Sequence, residues 1–154
     1  MPQQTTPLIV NGMLNNFLYD CYTARKGKTK STGNYSRGGF TSSGSIQPTN
    51  LYLTPGRAKP EEIFAGVQRG FYLTDAIGIF AGINIASGDF SIPVAGFLIE
   101  KGKLASPVRG VSIGGNLFDL LKSVVKIADD LTWFNSVGCP TFLVSGVRIG
   151  GAKS

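Results

Sequence analysis

Asp89-Phe90-Ser91-Ile92-Pro93-Val94-Ala95-Gly96-Phe97-Leu98-Ile99, the three residues Glu100-Lys101-Gly102, and then Lys103–Ile113 form two strand-like runs around a short turn. A hairpin-like unit of this length makes the fold β-rich, and the rest of the chain agrees. Its 21 glycines and 8 prolines punctuate short apolar runs throughout, as expected of strands joined by many turns. Near the start, Leu8-Ile9-Val10 and Met13–Tyr19 flank Asn11-Gly12, a pair that tolerates the positive φ of a type I′ hairpin turn. Asn50–Leu53, Phe71–Thr74, Leu131–Phe134 and Thr141–Ile149 read as further strands.

Two helices fit between them. The first opens with Pro60 in its first turn, where Glu61 and Glu62 meet the positive end of the helix dipole; Ile63, Phe64 and Val67 share a face and Gly70 is its stop. The second runs from Asn116 to about Ala128. Leu117, Phe118, Leu120, Leu121, Val124, Val125 and Ile127 fill one broad stripe, with Asp119, Lys122, Ser123 and Lys126 opposite. The predicted fold is α+β and β-rich, a mostly antiparallel sheet or barrel-like domain with two amphipathic helices, in a single domain over residues 1–154.

Composition narrows the function. At 154 residues the chain should bury roughly 68–70% of its unfolded surface, so its core needs no staples. Apolar residues make up 42% and charged residues 16%, which excludes a disordered, highly charged chain. No apolar run approaches the length of a membrane span, and the N-terminus lacks the basic start and apolar stretch of a secretory signal. Two cysteines are no disulfide framework; a reducing cytosol is the expected compartment, and Cys21 and Cys139 read as buried, inert thiols. The chain has no histidine, which removes Ser-His-Asp and Cys-His nucleophile systems and every His-ligated metal site within it. The net charge of +6 permits an acidic partner without requiring one.

Several motifs fail on inspection. Gly110-Val111-Ser112-Ile113-Gly114 fits G-x-S-x-G, but that elbow needs a histidine to take the serine proton; the glycines read instead as a strand-to-helix turn. Ser123 and Lys126 match S-x-x-K, yet both fall on the outward face of the predicted helix. Gly27-Lys28-Thr29 lacks the earlier glycine of a phosphate loop, since position 23 is Thr23. From Lys26 to Ser45 aliphatic residues vanish, and a long mobile or functional loop is expected. Arg25, Lys26, Lys28, Lys30 and Arg37 include no acid among them and enclose Tyr35. They read either as a surface for anions or nucleic acid or as a loop kept soluble by charge.

The most unusual segment runs from Thr74-Asp75 through small residues to Ser87-Gly88-Asp89-Phe90-Ser91. Its glycines allow close backbone approach, including approach by an extended peptide. With Gly96-Phe97-Leu98-Ile99-Glu100-Lys101-Gly102, it resembles the C-terminal region of the TldD/PmbA (TldE) family, once called modulators of DNA gyrase and understood as metallopeptidases. Tyr22-Thr23-Ala24-Arg25-Lys26, Lys30-Ser31-Thr32-Gly33-Asn34, Thr49-Asn50-Leu51-Tyr52-Leu53 with Pro55-Gly56, Gly115-Asn116-Leu117, Ser136-Val137-Gly138 and Gly150-Gly151 match in the same order.

The resemblance favours the PmbA/TldE-like branch. TldD-type proteins hold zinc with two histidines of a preceding helix and a cysteine from this region. That cysteine is expected around Asp130–Asn135, where none stands, and Cys139 is not assigned the role. The resemblance therefore implies a non-catalytic subunit with no metal or catalytic residue of its own. It would help shape a chamber for leader removal and degradation of small unfolded proteins, beside a TldD-like partner that carries the zinc. The family's large N-terminal portion has no counterpart here, so the chain is expected to be a fragment or a short natural protein that does not hydrolyse peptides alone. Arg25, Lys26, Lys30, Thr74, Asp75, Ser87, Gly88, Asp89 and Phe90 are the candidate contacts for substrate or partner. The expected partners are a TldD-like subunit, a second copy of the chain, or both, in the cytoplasm, with neither nucleic acid nor membrane. The alternatives kept beside this are a nucleic-acid module using residues 25–37 and a fragment that self-assembles through exposed sheet edges.

Overall fold

The computed structural model describes residues 2, 4–78 and 81–151. It divides into two compact units, Met1–Tyr52 with Trp133–Gly138, and Leu53–Thr132 with Cys139–Ser154.

The first unit opens with the expected hairpin, β1 (Ile9–Val10) against β2 (Met13–Leu14), with Asn11 and Gly12 both at positive φ. The strands are shorter than the apolar runs suggest, and a short helix, α1 (Cys21–Lys26), follows where none was expected. A capping box starts it: Asp20 Oδ1 accepts from Thr23 N at 2.6 Å while Thr23 Oγ1 accepts from Asp20 N at 3.2 Å. The Thr23 hydroxyl and then its amide hold the Asp20 carboxyl below its usual value. Cys21 is exposed, not buried.

The stretch after α1 is more ordered than a mobile loop. Ser31 and Thr32 are buried, and both hydroxyls lie against the Tyr19 carbonyl, at 3.1 and 3.0 Å. The Tyr19 amide in turn donates to Thr32 Oγ1 at 2.8 Å. Beyond them β3 (Tyr35–Ser36) and β4 (Ser45–Ile46) pair as a second hairpin. The unit closes with β5 (Leu51–Tyr52), which lies parallel to β11 (Val137–Cys139), and β11 also neighbours β10 (Thr132–Phe134).

The second unit is built on the long hairpin. Strands β7 (Asp89–Glu100) and β8 (Lys103–Asn116) turn at Lys101-Gly102, both at positive φ, with Glu100 opposite Lys103 and Asp89 opposite Asn116. β6 (Arg69–Ala76) lies on the other side of β7 and β13 (Arg148–Gly151) on the other side of β8, giving the antiparallel order β13-β8-β7-β6. Along β7 the side chains alternate. Phe90, Ile92 and Val94 are buried, and Asp89, Ser91 and Pro93 are exposed. Phe71, Ala76, Ile83, Val111, Ile113 and Leu120 pack on the buried row to form the core.

The two helices of this unit are shorter than their apolar stripes. α2 spans Pro60–Ala65, with Glu62 reaching back to the Lys59 amide at 3.2 Å. It ends at Gly66, and Gly70 belongs to β6. α3 spans only Leu117–Lys122; Val124–Ile127 is strand β9, paired antiparallel with β12 (Phe142–Val144). Ser123 caps the C-terminus of α3 and Lys126 lies in β9, so they share no helix face. Ser112 sits inside β8 opposite Pro93, and residues 110–114 form no strand-to-helix turn. Thr141–Ile149 resolves into β12 and β13 with a turn between them. The sheets are mostly antiparallel, and none of those described closes into a barrel.

Two close approaches set how tightly this unit packs. Ala128 is fully buried beneath residues 56–58, where Gly56 N donates to its carbonyl and Asp129 N to Ala58 O; a Cβ on Gly56 would enter the Ile127 carbonyl. Lys59 and Asp129 close the same crossing with an ion pair at 2.6 Å. At the centre of the sheet, a Cβ on Gly96 would be driven into the carbonyl oxygen of Tyr72 on β6. Gly96→Ala is therefore expected to cost about 1–3 kcal/mol, as overpacking does. Gly150→Ala, with nothing within 4 Å of the added methyl and no positive φ, should leave stability within about 0.5 kcal/mol of the parent. Urea unfolding of the two variants decides the point. Equal midpoints would mean that β6 and β7 do not pack as described.

Candidate functional site

The segment singled out in the sequence connects β6 to β7. It begins with a bulge: Leu73 pairs with Gly96 and Asp75 with Ala95, leaving Thr74 as the extra residue. Thr74 Oγ1 lies 3.1 Å from Asp75 Oδ2 and 3.3 Å from the Ala95 carbonyl, so the bulge is held by the residues that form it. Ile77 N then donates to Pro93 O, and Gly78 turns the chain at positive φ. Ile79 and Phe80 fall outside the described residues.

Beyond them the chain returns along β7. Ser91 N donates to Gly82 O at 2.8 Å, and Ile83 bridges Phe90. Asn84 builds the turn that follows: its Oδ1 accepts from Ala86 N and Ser87 N, and its backbone carbonyl from Gly88 N. Residues 81–86 with 89–91 enclose a shallow concavity of about 750 Å³, with Asp89 and Ser91 in its wall and Ile85 almost fully exposed.

The run Ser87-Gly88-Asp89-Phe90 is brought together by Asn116, which the sequence offered as a helix start and as part of the Gly115-Asn116-Leu117 match. Asn116 Nδ2 donates to the Ser87 carbonyl and to Asp89 Oδ1, both at 2.9 Å, while Asn116 Oδ1 accepts from Phe118 N and caps α3. Leu117 N adds a bond to the Gly88 carbonyl. Gly88 sits at positive φ with the Phe118 ring 3.0 Å from where a Cβ would stand, and Phe90 drops into the core. The Asn116 amide, and then the Ser87 hydroxyl, keep the Asp89 carboxyl below its usual range. Each of these four residues thus has a packing or hydrogen-bonding partner. The signal for Asn116 was present as a good N-cap residue ahead of an apolar run, but its partners at 87 and 89 lie nearly thirty positions away. Arg25 and Lys26 close α1 and Lys30 follows it, all exposed, in the first unit.

Donors for a metal do not assemble. Cys139 is half-buried, and burial and then the charge of Asp130 push its thiol up. Partial burial works to raise the Asp130 carboxyl, but the hydroxyl and amide of Thr141, at 2.7 and 2.8 Å, outweigh it and hold it low. Among the described residues no group of three or more Cys, Asp or Glu side chains could hold a metal ion, and the chain has no histidine. No complete zinc site assembles from the described residues of this chain.

The profile of the PmbA/TldA metallopeptidase C-terminal domain covers residues 1–151. A metalloprotease PmbA homolog of Buchnera aphidicola from Acyrthosiphon pisum is 31% identical over 94% of this chain and 30% of its own length. A TldD homolog of Buchnera aphidicola from Schizaphis graminum is 33% identical over 90% of this chain and 28% of its own length. The crystal structure of a Thermotoga maritima protein described as a modulator of DNA gyrase superposes with a TM-score of 0.86 at 34% identity, covering 97% of this chain and 34% of that one. The chain belongs to the PmbA/TldD metallopeptidase family, as its C-terminal domain. It spans about a third of the length of these relatives.

Two substitutions separate the roles of Asn116. Asn116→Ala removes the cap and both long-range donations and is expected to cost about 1–2 kcal/mol from the cap alone. Asn116→Asp keeps a good cap but sets a second carboxylate against Asp89. It should be destabilised at pH 7 and recover on acidification to about pH 4, where one of the pair takes a proton. The parent runs the other way: the depressed Asp89 pKa makes its contribution complete above the ordinary carboxylate value and lost as pH falls through the folded-state value. Thermal melts from pH 3 to 7 check both signs. An Asn116→Asp variant as stable as the parent at pH 7 would show that Asp89 is not held by residue 116.

Proposed function

We propose that this chain is the non-catalytic C-terminal domain of a PmbA/TldE-like subunit, shaping part of a chamber in which a TldD-like partner, carrying the zinc, processes peptides. The observation that carries this reading is the open edge of β6. Among the described residues this strand of eight pairs only with β7, so the backbone groups on its other side are free to meet an extended chain, beside the bulge at Thr74-Asp75. Such an edge recognises backbone and is indifferent to side chains, which suits a site for varied unfolded peptides.

The PmbA- and TldD-named relatives are nearly equally similar, so identity does not choose between branches. The choice rests on the absence of a cysteine around Asp130–Asn135, where a TldD-type zinc ligand is expected, with the Asp130 carboxyl held instead by Thr141. Catalysis belongs to a partner on this reading, and the site is cytoplasmic. No helix among the described residues is long and apolar enough to cross a membrane. The same edge also allows two copies of the chain to pair strand to strand.

Co-expression with a TldD-like subunit, followed by size-exclusion chromatography with in-line zinc analysis, tests the reading. The expected result is co-elution, with zinc present only in the fractions that hold the partner. Zinc-dependent peptide cleavage by the isolated chain would overturn the non-catalytic assignment. Failure to co-elute would overturn the pairing.

A further inference from the structure

The charge of the chain is unevenly distributed. The first unit holds five cations, Arg25, Lys26, Lys28, Lys30 and Arg37, against the single acid Asp20, a net +4 of the chain's +6. All five cations are exposed. None of them makes an ion pair among the described residues; the Lys59–Asp129 pair lies in the other unit. Asp20 is engaged by the amide and hydroxyl of Thr23, at 2.6 and 2.7 Å. Among the described residues of the first unit, Asp20 is the one acid set against these five cations.

The cations frame two aromatic rings. Lys26 Nζ stands 4.8 Å from the centre of the Tyr22 ring, and the Arg37 guanidinium 5.9 Å from that of Tyr35. Arg37 Nε also reaches the Tyr35 hydroxyl at 3.4 Å, and the ring lies so close over Gly44 that a Cβ there would collide with it. Tyr22 is 65% exposed and Tyr35 49%. Both rings line one cleft of about 420 Å³, together with Asp20, Ser31 and Gly33. The hydroxyl of Ser31 is anchored on the Tyr19 carbonyl, so that wall is set by buried bonds and not by loop mobility.

We propose that this cleft and its basic rim bind single-stranded nucleic acid, a base entering beside Tyr22 and Tyr35 while phosphates lie on Lys26, Lys28, Lys30 and Arg37. Aromatic rings beside cations are the general arrangement for binding single strands without sequence preference, because every base has a face to stack and every nucleotide a phosphate. The carboxylate of Asp20 in the cleft wall repels phosphate and leaves that position to the base. An acidic polypeptide would use the rim but gain nothing from the rings, and a duplex would not offer a base to the cleft. This inference uses residues of the first unit alone, whereas the open edge of β6 belongs to the second.

The test is fluorescence anisotropy of a labelled 20-nucleotide oligothymidylate titrated with the full chain from 50 to 300 mM NaCl. Binding in the range of about 1–100 μM is expected at the lowest salt, falling with a log–log slope of about −2 to −3 for three to four phosphate contacts. Tyr22→Leu, at an exposed position, should weaken binding about tenfold with the slope unchanged. The triple variant Lys26→Gln, Lys28→Gln, Lys30→Gln should flatten the slope. Circular dichroism verifies that each variant is folded. Absence of saturable binding at 50 mM NaCl would overturn the proposal. So would a Tyr22→Leu variant that binds like the parent. Displacement of the oligonucleotide by an equal charge of polyglutamate would overturn it in favour of a site for acidic polypeptides.

Discussion

The turn at Lys101-Gly102 sets the register on which the second unit depends. With Glu100 opposite Lys103, the ladder carries through two register shifts to place Asp89 opposite Asn116 at the far end of the hairpin. A slip of one residue would reverse the faces of β7, sending Phe90, Ile92 and Val94 to solvent and Ser91 and Pro93 into the core. Burying each of those three side chains contributes about 1.5–3 kcal/mol, a large share of the few kcal/mol by which a domain is stable. The same register delivers the Asn116 amide to Asp89 and the start of α3 to Gly88. Core and corner therefore depend on this turn together with the two register shifts that follow it.

The corner also shows how one sequence feature serves two ends. Ser87-Gly88-Asp89-Phe90 reads as a functional signature, and the structure gives every member a local task in capping, turning, accepting or packing. These contacts tie the start of β7 to the end of β8 and the start of α3, while the bulge at Thr74 is held further along β7 by Ala95.

Where the sequence reading and the structure part, the reason is local competition. The seven apolar residues between Leu117 and Ile127 do form a helical stripe, yet the helix stops at Lys122. Val124, Val125 and Ile127 are β-branched, and β9 gains a partner in β12 fifteen or more residues away, which no periodicity can register. α1 was missed for the opposite reason. It has one buried residue, Ala24, and no apolar stripe, so its evidence is the reciprocal bonding of Asp20 and Thr23. Ser31 and Thr32 read as loop residues because their burial depends on the distant Tyr19 carbonyl.

By itself the sequence determined what can be settled by local chemistry and by what is missing. Asn11-Gly12 makes its turn because both residues tolerate positive φ, the two strand-like runs around Glu100-Lys101-Gly102 give the long hairpin, and a chain without histidine supplies no histidine ligand to a metal. The family resemblance was legible in the same way, from short motifs kept in order. The tertiary structure alone decided which side of β6 is left open, that Asn116 ties Ser87 and Asp89, and that Tyr22 and Tyr35 share a cleft. These are relations between residues far apart in the chain. They follow from strand register and packing, which depend on every segment at once, whereas a turn or a cap depends only on its neighbours.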